Sequence, residues 1–108
     1  MQKNILQELV KGIRAVVNDK LVSIILYGSV AKKEDTPESD IDIAIIVKKN
    51  IDDRTRERFL CWAAEMDLRY DRVFSIVDIQ EENIRKWGEI LPFYRNVRKE
   101  GIVLWKAA

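Results

Sequence analysis

A small mixed β-sheet flanked by helices, an α/β chain of the α+β kind, is the fold class this sequence predicts. Three observations predict it. The runs Leu21–Tyr27 and Ile41–Val47 are short, largely apolar and rich in Ile, as buried strands are. Apolar residues recur at helical spacing before, between and after them. The resulting order, α-β-β-α-β-α-α-β, interleaves both kinds of element in 108 residues, enough for one core and not two. Residues 1–108 are therefore read as a single domain.

Ile5, Leu6, Leu9, Val10, Ile13, Val16 and Val17 place an amphipathic helix over about residues 3–18. The two strands follow, the second opening with Asp40 and Asp42. Between them a short helical turn is expected over Ser29 to Lys33. Ile51 to Thr55 begins another helix, with Phe59, Trp62, Ala63 and Met66 as its inward stripe, running to about Tyr70. Cys61, within that helix, is read as a small core residue. Arg72 to Ile79 is a third strand, and Gln80 to Trp87 a short helix. Pro92 suits the first turn of a last helix reaching about Glu100. Gly101 closes it, and Ile102 to Trp105 offers a final short strand.

Composition removes several functions. Lys and Arg total 19 against 18 Asp and Glu, a net charge of +1 that gives no strong nucleic-acid signal. No apolar run reaches the roughly 18 residues a membrane span needs, and none reads as a signal peptide. One cysteine excludes an internal disulfide and fits a reducing, cytoplasmic setting. There is no histidine, which excludes Ser-His-Asp and Cys-His nucleophiles and His-containing zinc sites. A metal here must be a hard cation held by oxygen, Mg²⁺ or Mn²⁺.

The chemistry concentrates between residues 26 and 47. Gly28 and Ser29 end the first strand in a turn whose backbone N–H groups can face an anion, and Gly28 permits positive φ and close approach of a phosphate. Ten residues later come Asp40 and Asp42. At spacing two on a strand their side chains share a face, with Cα atoms ~6.6 Å apart. Two carboxylates so close repel each other, and a divalent cation is the natural compensation. Gly-Ser alone is a common turn dipeptide, and an Asp at a strand entrance is often a cap. Asp42 is different: a carboxylate inside an otherwise apolar strand costs stability, and function explains that cost better than structure does.

Together, Gly28, Ser29, Ala31, Ser39, Asp40 and Asp42 resemble, in register, the motif of the DNA polymerase β-like nucleotidyltransferase superfamily, most closely its minimal nucleotidyltransferase (MNT) branch. Lys32 stands where that branch usually has Arg, and Lys33 where it has a second Gly. The tail from Leu91 to Leu104 is also similar. The resemblance implies a polymerase β palm-like fold with the site on the rim of the sheet. It implies that Gly28 and Ser29, with Ser39 and Lys32 beside them, bind a nucleoside triphosphate, ATP by preference. It implies that Asp40 and Asp42 are the catalytic and metal-binding pair for transfer of a nucleoside monophosphate to a hydroxyl. Its physics is positioning and charge neutralisation, which carboxylates and metals supply. Lys32 reads equally as a solvated surface lysine.

The departure is the third carboxylate of the family, carried on the strand matching Val73 to Ile79. Ser75 aligns with it. Asp71 shares that face nearer the strand entrance, while Asp78 has the opposite parity. Two functions therefore stand. One is an active antitoxin that adenylylates a tyrosine of a helical HEPN-type ribonuclease partner. The other is a non-catalytic nucleotide- or partner-binding module that inhibits such a partner by complex formation. Trp87, Phe93, Tyr94 and Trp105 are read as core or partner surface. Arg85, Lys86, Arg95, Arg98 and Lys99 are read as a solvated face or the lining of a triphosphate cleft. Self-association is left open.

Overall fold

The structure, a computed structural model, describes residues 3–32 and 40–107. Its helices are α1 (Lys3–Val17), α2 (Gly28–Ala31), α3 (Asp53–Tyr70), α4 (Glu81–Trp87) and α5 (Pro92–Glu100), and its strands are β1 (Leu21–Tyr27), β2 (Ile41–Val47), β3 (Phe74–Gln80) and β4 (Ile102–Lys106). A 3₁₀ turn, Asn18–Lys20, links α1 to β1. The four strands form one mixed sheet in the order β3-β2-β1-β4. β1 runs antiparallel to both β2 and β4, whereas β2 and β3 are parallel, joined through α3. The predicted fold class is the observed one.

Period-two alternation divides β1 and β2 between two cores. Ile24, Leu26, Ile41, Ile43, Ile45 and Val47 face α1 and α3, where they pack on Leu9, Ile13, Phe59 and Met66. Ile25, Ala44 and Ile46 face the other way, joined by Ile79 and by Val97 of α5. The strands are apolar on both faces because both faces are covered. α1 and α3 cross closely at Gly12, where a Cβ would lie 2.4 Å from the Trp62 ring. Glu8 of α1 also accepts hydrogen bonds from Arg69 and from the Tyr70 hydroxyl at the far end of α3.

Two boundaries carry consequences. The Asp52 carboxylate accepts the Thr55 N–H at 2.8 Å and starts α3, a side-chain cap that leaves Ile51 outside the helix. At the other end the chain does not pass directly into a strand. Asp71 turns left-handed at φ 51° and caps α3, and β3 begins only at Phe74, two residues after the expected Arg72. The Phe74 N–H is held by the Asp67 carboxylate at 3.0 Å. Cys61 corrects a second expectation: it is exposed, not core. Phe59, Trp62, Ala63 and Met66 follow the 3–4 spacing of a buried stripe, and Cys61 falls off it. Among the described residues no helix is long and apolar enough to cross a membrane.

Candidate active site at the rim of the sheet

Tyr27, the last residue of β1, pairs across the antiparallel ladder with Asp42, the second of β2. The next residue, Gly28, turns the chain with φ +75°, a left-handed value that only glycine adopts without strain. It also passes so close to the strand that a Cβ would lie 2.3 Å from Asp42 Oδ2. The Gly-Ser turn and the carboxylate that sequence spacing singled out thus meet at one point. Gly28 opens the single turn α2, closed by the Lys32 N–H donating to the Gly28 carbonyl at 3.2 Å. Ser29 is the second residue of that turn.

Asp40 lies just ahead of β2, exposed, and the next N–H, that of Ile41, donates to the Val73 carbonyl at 2.9 Å. Asp42 is half-buried. Burial first, and the charge of Asp40 second, raise its pKa above the ordinary carboxylate value. Tyr27 feels the same site: burial, then the Asp42 charge, raise its phenol pKa. The donors are all oxygen, they repel each other, and Gly28 leaves the space in front of Asp42 free of a side chain. That set fits a hard divalent cation. Among the described residues no group of three carboxylate or thiol donors assembles.

The parallel ladder puts Ser75 directly beside Asp42. Ser75 therefore occupies the strand position from which a third carboxylate would face the pair. Neither alternative acid reaches it. Asp78 pairs with Ile45 on the opposite face, where Arg56 of α3 grips its two oxygens at 3.2 and 3.1 Å. Asp71 caps α3 and is not in the strand, contrary to the expected shared face. Lys32 sends its Nζ to Glu100, at the end of α5, at 3.0 Å. Ser39 lies outside the described residues. Of the basic helix residues, Arg85 pairs with Glu81 and Arg98 approaches Glu89.

Two neighbours of the site were not legible as such. Tyr27 read only as a strand end, although its place immediately before Gly28 fixes it beside Asp42. Phe93 read as core or partner surface; its ring stands edge-on to Tyr27, 5.7 Å between centroids at 83°. Sixty-six positions separate the two residues, and no local pattern joins them.

Comparison with known proteins bears on the family and the fold. The family model described as polymerase beta, nucleotidyltransferase, matches residues 11–107. A candidate protein adenylyltransferase of Methanocaldococcus jannaschii is 30% identical over 107 residues, 96% of this chain and 98% of that protein. A second from the same organism is 34% identical over 71 residues, 66% of this chain and 72% of that one. Among solved structures, a toxin–antitoxin crystal structure with AMP-PNP aligns with TM-score 0.68 at 24% identity, over 94% of this chain and 73% of that one. A structure of a tri-AMPylated Shewanella oneidensis HEPN toxin in complex with MNT antitoxin aligns with TM-score 0.60 at 21% identity, over 99% and 74%. At these identities the structural likeness is one of fold.

Proposed function

We infer that this chain, which belongs to the polymerase β nucleotidyltransferase family, transfers AMP from ATP to a hydroxyl group of a protein and serves as the MNT antitoxin of a HEPN-type partner. The observation that carries the reading is the meeting of Gly28, left-handed and without a Cβ, with Asp42 of the carboxylate pair. Gly28 and Ser29 hold the distal phosphates, with Ser39 at the edge of the same motif. Lys32 joins them by exchanging Glu100 for a phosphate oxygen. Asp40 and Asp42 would hold Mg²⁺ or Mn²⁺, which when bound supplies charge neutralisation at the phosphates. The acceptor oxygen attacks the α-phosphorus, its bond to the pyrophosphate oxygen breaks, and the acceptor proton is lost to solvent or a base.

The HEPN toxin and MNT antitoxin in the structural neighbours, and the protein adenylyltransferase names of the relatives, support a protein acceptor and such a partner. A reducing, cytoplasmic setting agrees with a single exposed cysteine. A second reading rests on Ser75. With a hydroxyl where the family carries its third acid, the site binds nucleotide and partner but transfers poorly, and inhibition comes from complex formation. Transfer of label from α-labelled ATP to the purified HEPN-type partner separates the two. Label lost in Asp42→Asn supports the enzyme. Tight complex formation without label supports the binding module.

A further inference from the structure

We propose that the exposed ring of Phe93 is the platform on which the base of the bound nucleotide stacks, with Tyr27 as its support. This rests on the triphosphate reading of Gly28 and Asp42. Phe93 is the second residue of α5, set in place by Pro92 at the first helical position. Its ring meets two others, Tyr27 at 5.7 Å and Tyr94 at 5.6 Å, the latter at 60°. A ring with two aromatic neighbours in a core would be buried, yet Phe93 keeps 43% of its surface exposed. Contact with Tyr27 and Tyr94 fixes the ring and leaves it surface to offer.

The location supplies the ligand. Tyr27 is the cross-strand partner of Asp42 and the residue before Gly28, so one aromatic side chain separates Phe93 from the carboxylate. The Phe93 ring therefore lies one ring contact of 5.7 Å beyond the side chain that pairs across the ladder with Asp42. A nucleotide whose phosphates meet Gly28 would carry its base toward that ring. Every base has a π-face, so stacking anchors the base without reading its edge. The platform therefore anchors the base and leaves the choice among bases open. The exposed Ile90 and Leu91 precede α5 and offer a different occupant for this surface, an apolar patch of a partner protein.

Calorimetric titration with Mg²⁺-ATP and with Mg²⁺-tripolyphosphate, which has no base, distinguishes these. Wild type should bind ATP more tightly than tripolyphosphate. Phe93→Leu, which keeps apolar bulk, should weaken ATP about tenfold or more and leave tripolyphosphate unchanged. Phe93→Trp should restore ATP affinity, and melting curves of both variants check that the fold persists. ATP affinity unchanged in Phe93→Leu would overturn the proposal, above all if partner binding is lost instead. So would equal losses for both ligands, or equal affinities in wild type, with the triphosphate reading left standing. Failure of wild type to bind either ligand would overturn that reading as well.

Discussion

Gly28 combines two demands that are separable by mutation. Its φ of +75° requires a left-handed backbone, and its hydrogen in place of Cβ leaves room for the Asp42 carboxylate. Gly28→Val violates both. The backbone term alone should cost roughly 1–3 kcal/mol of stability by chemical denaturation. If the residue's role is to admit phosphates, the variant should lose more affinity for ATP than for AMP. Equal losses would remove the phosphate assignment. Asp42 makes a prediction with a sign. Its folded pKa is raised, chiefly by burial, so the native state holds the proton more firmly than the unfolded chain does. Stability contributed by this group is therefore present below the ordinary carboxylate pKa and falls as pH rises through the folded value. In divalent-free buffer Asp42→Asn should melt at or above wild type at pH ~7. The gap should close as the buffer falls below pH ~4, where the unfolded aspartate is also largely protonated. A gap independent of pH would mean that charge is not its cause.

At the scale of elements, the register of β2 on β3 decides which side chain stands beside Asp42. Parallel pairing sets Ser75 beside Asp42 and sends Asp78 to the α3 face, where Arg56 holds it. Ser75→Asp should therefore place a carboxylate on the face of the pair. Radiolabel transfer to the partner should rise, general-base assistance being worth typically ~10²–10⁴-fold. A brisk wild-type rate that Ser75→Asp does not raise would show that no third acid is needed. The parity of Ser75 and Asp78 was legible because alternation survives any error at the strand end. The status of Asp71 was not. Asp71-Arg72-Val73 reads as a continuous extended approach to Phe74, but the helix-ending left-handed turn at Asp71 depends on a carbonyl four residues back. Leu21–Tyr27 and Ile41–Val47 were found residue for residue, and α5 from its first residue, because apolar runs mark their own ends and a proline marks a helix start. Cys61 was misplaced by its apolar character, where its angle around α3 should have ruled. The contacts Lys32–Glu100 and Tyr27–Phe93 join positions far apart in sequence and became visible only in the fold.

The whole molecule separates the part that holds it together from the candidate site. The larger cluster lies between the sheet and α1 with α3, and it contains Leu9, Ile13, Ile43 and Ile45, none of which is exposed. The face carrying Asp42 is covered by the two shorter helices α4 and α5, and its cluster is smaller. The site sits where that thinner layer ends, at the junction of the close of β1 and the opening of β2. Substitutions there can alter binding without dismantling the main core. Two like charges wait at this rim, so the free protein carries an electrostatic cost that a cation and a triphosphate together would relieve. A ligand that binds only the folded state stabilises it by about 2.7 kcal/mol at one hundred times its Kd. For a domain of about 100 residues each kcal/mol moves Tm by about 4 °C or more. Mg²⁺ with ATP at that excess should therefore raise Tm by roughly 10 °C. Because the cation's place depends on the phosphates and theirs on the cation, ATP with EDTA, or Mg²⁺ alone, should give much smaller shifts. Asp42→Asn should abolish the combined effect while its own apo melting point holds. An equal shift with EDTA would dissociate the nucleotide from the carboxylate pair. A full shift in Asp42→Asn would place the nucleotide somewhere other than this rim.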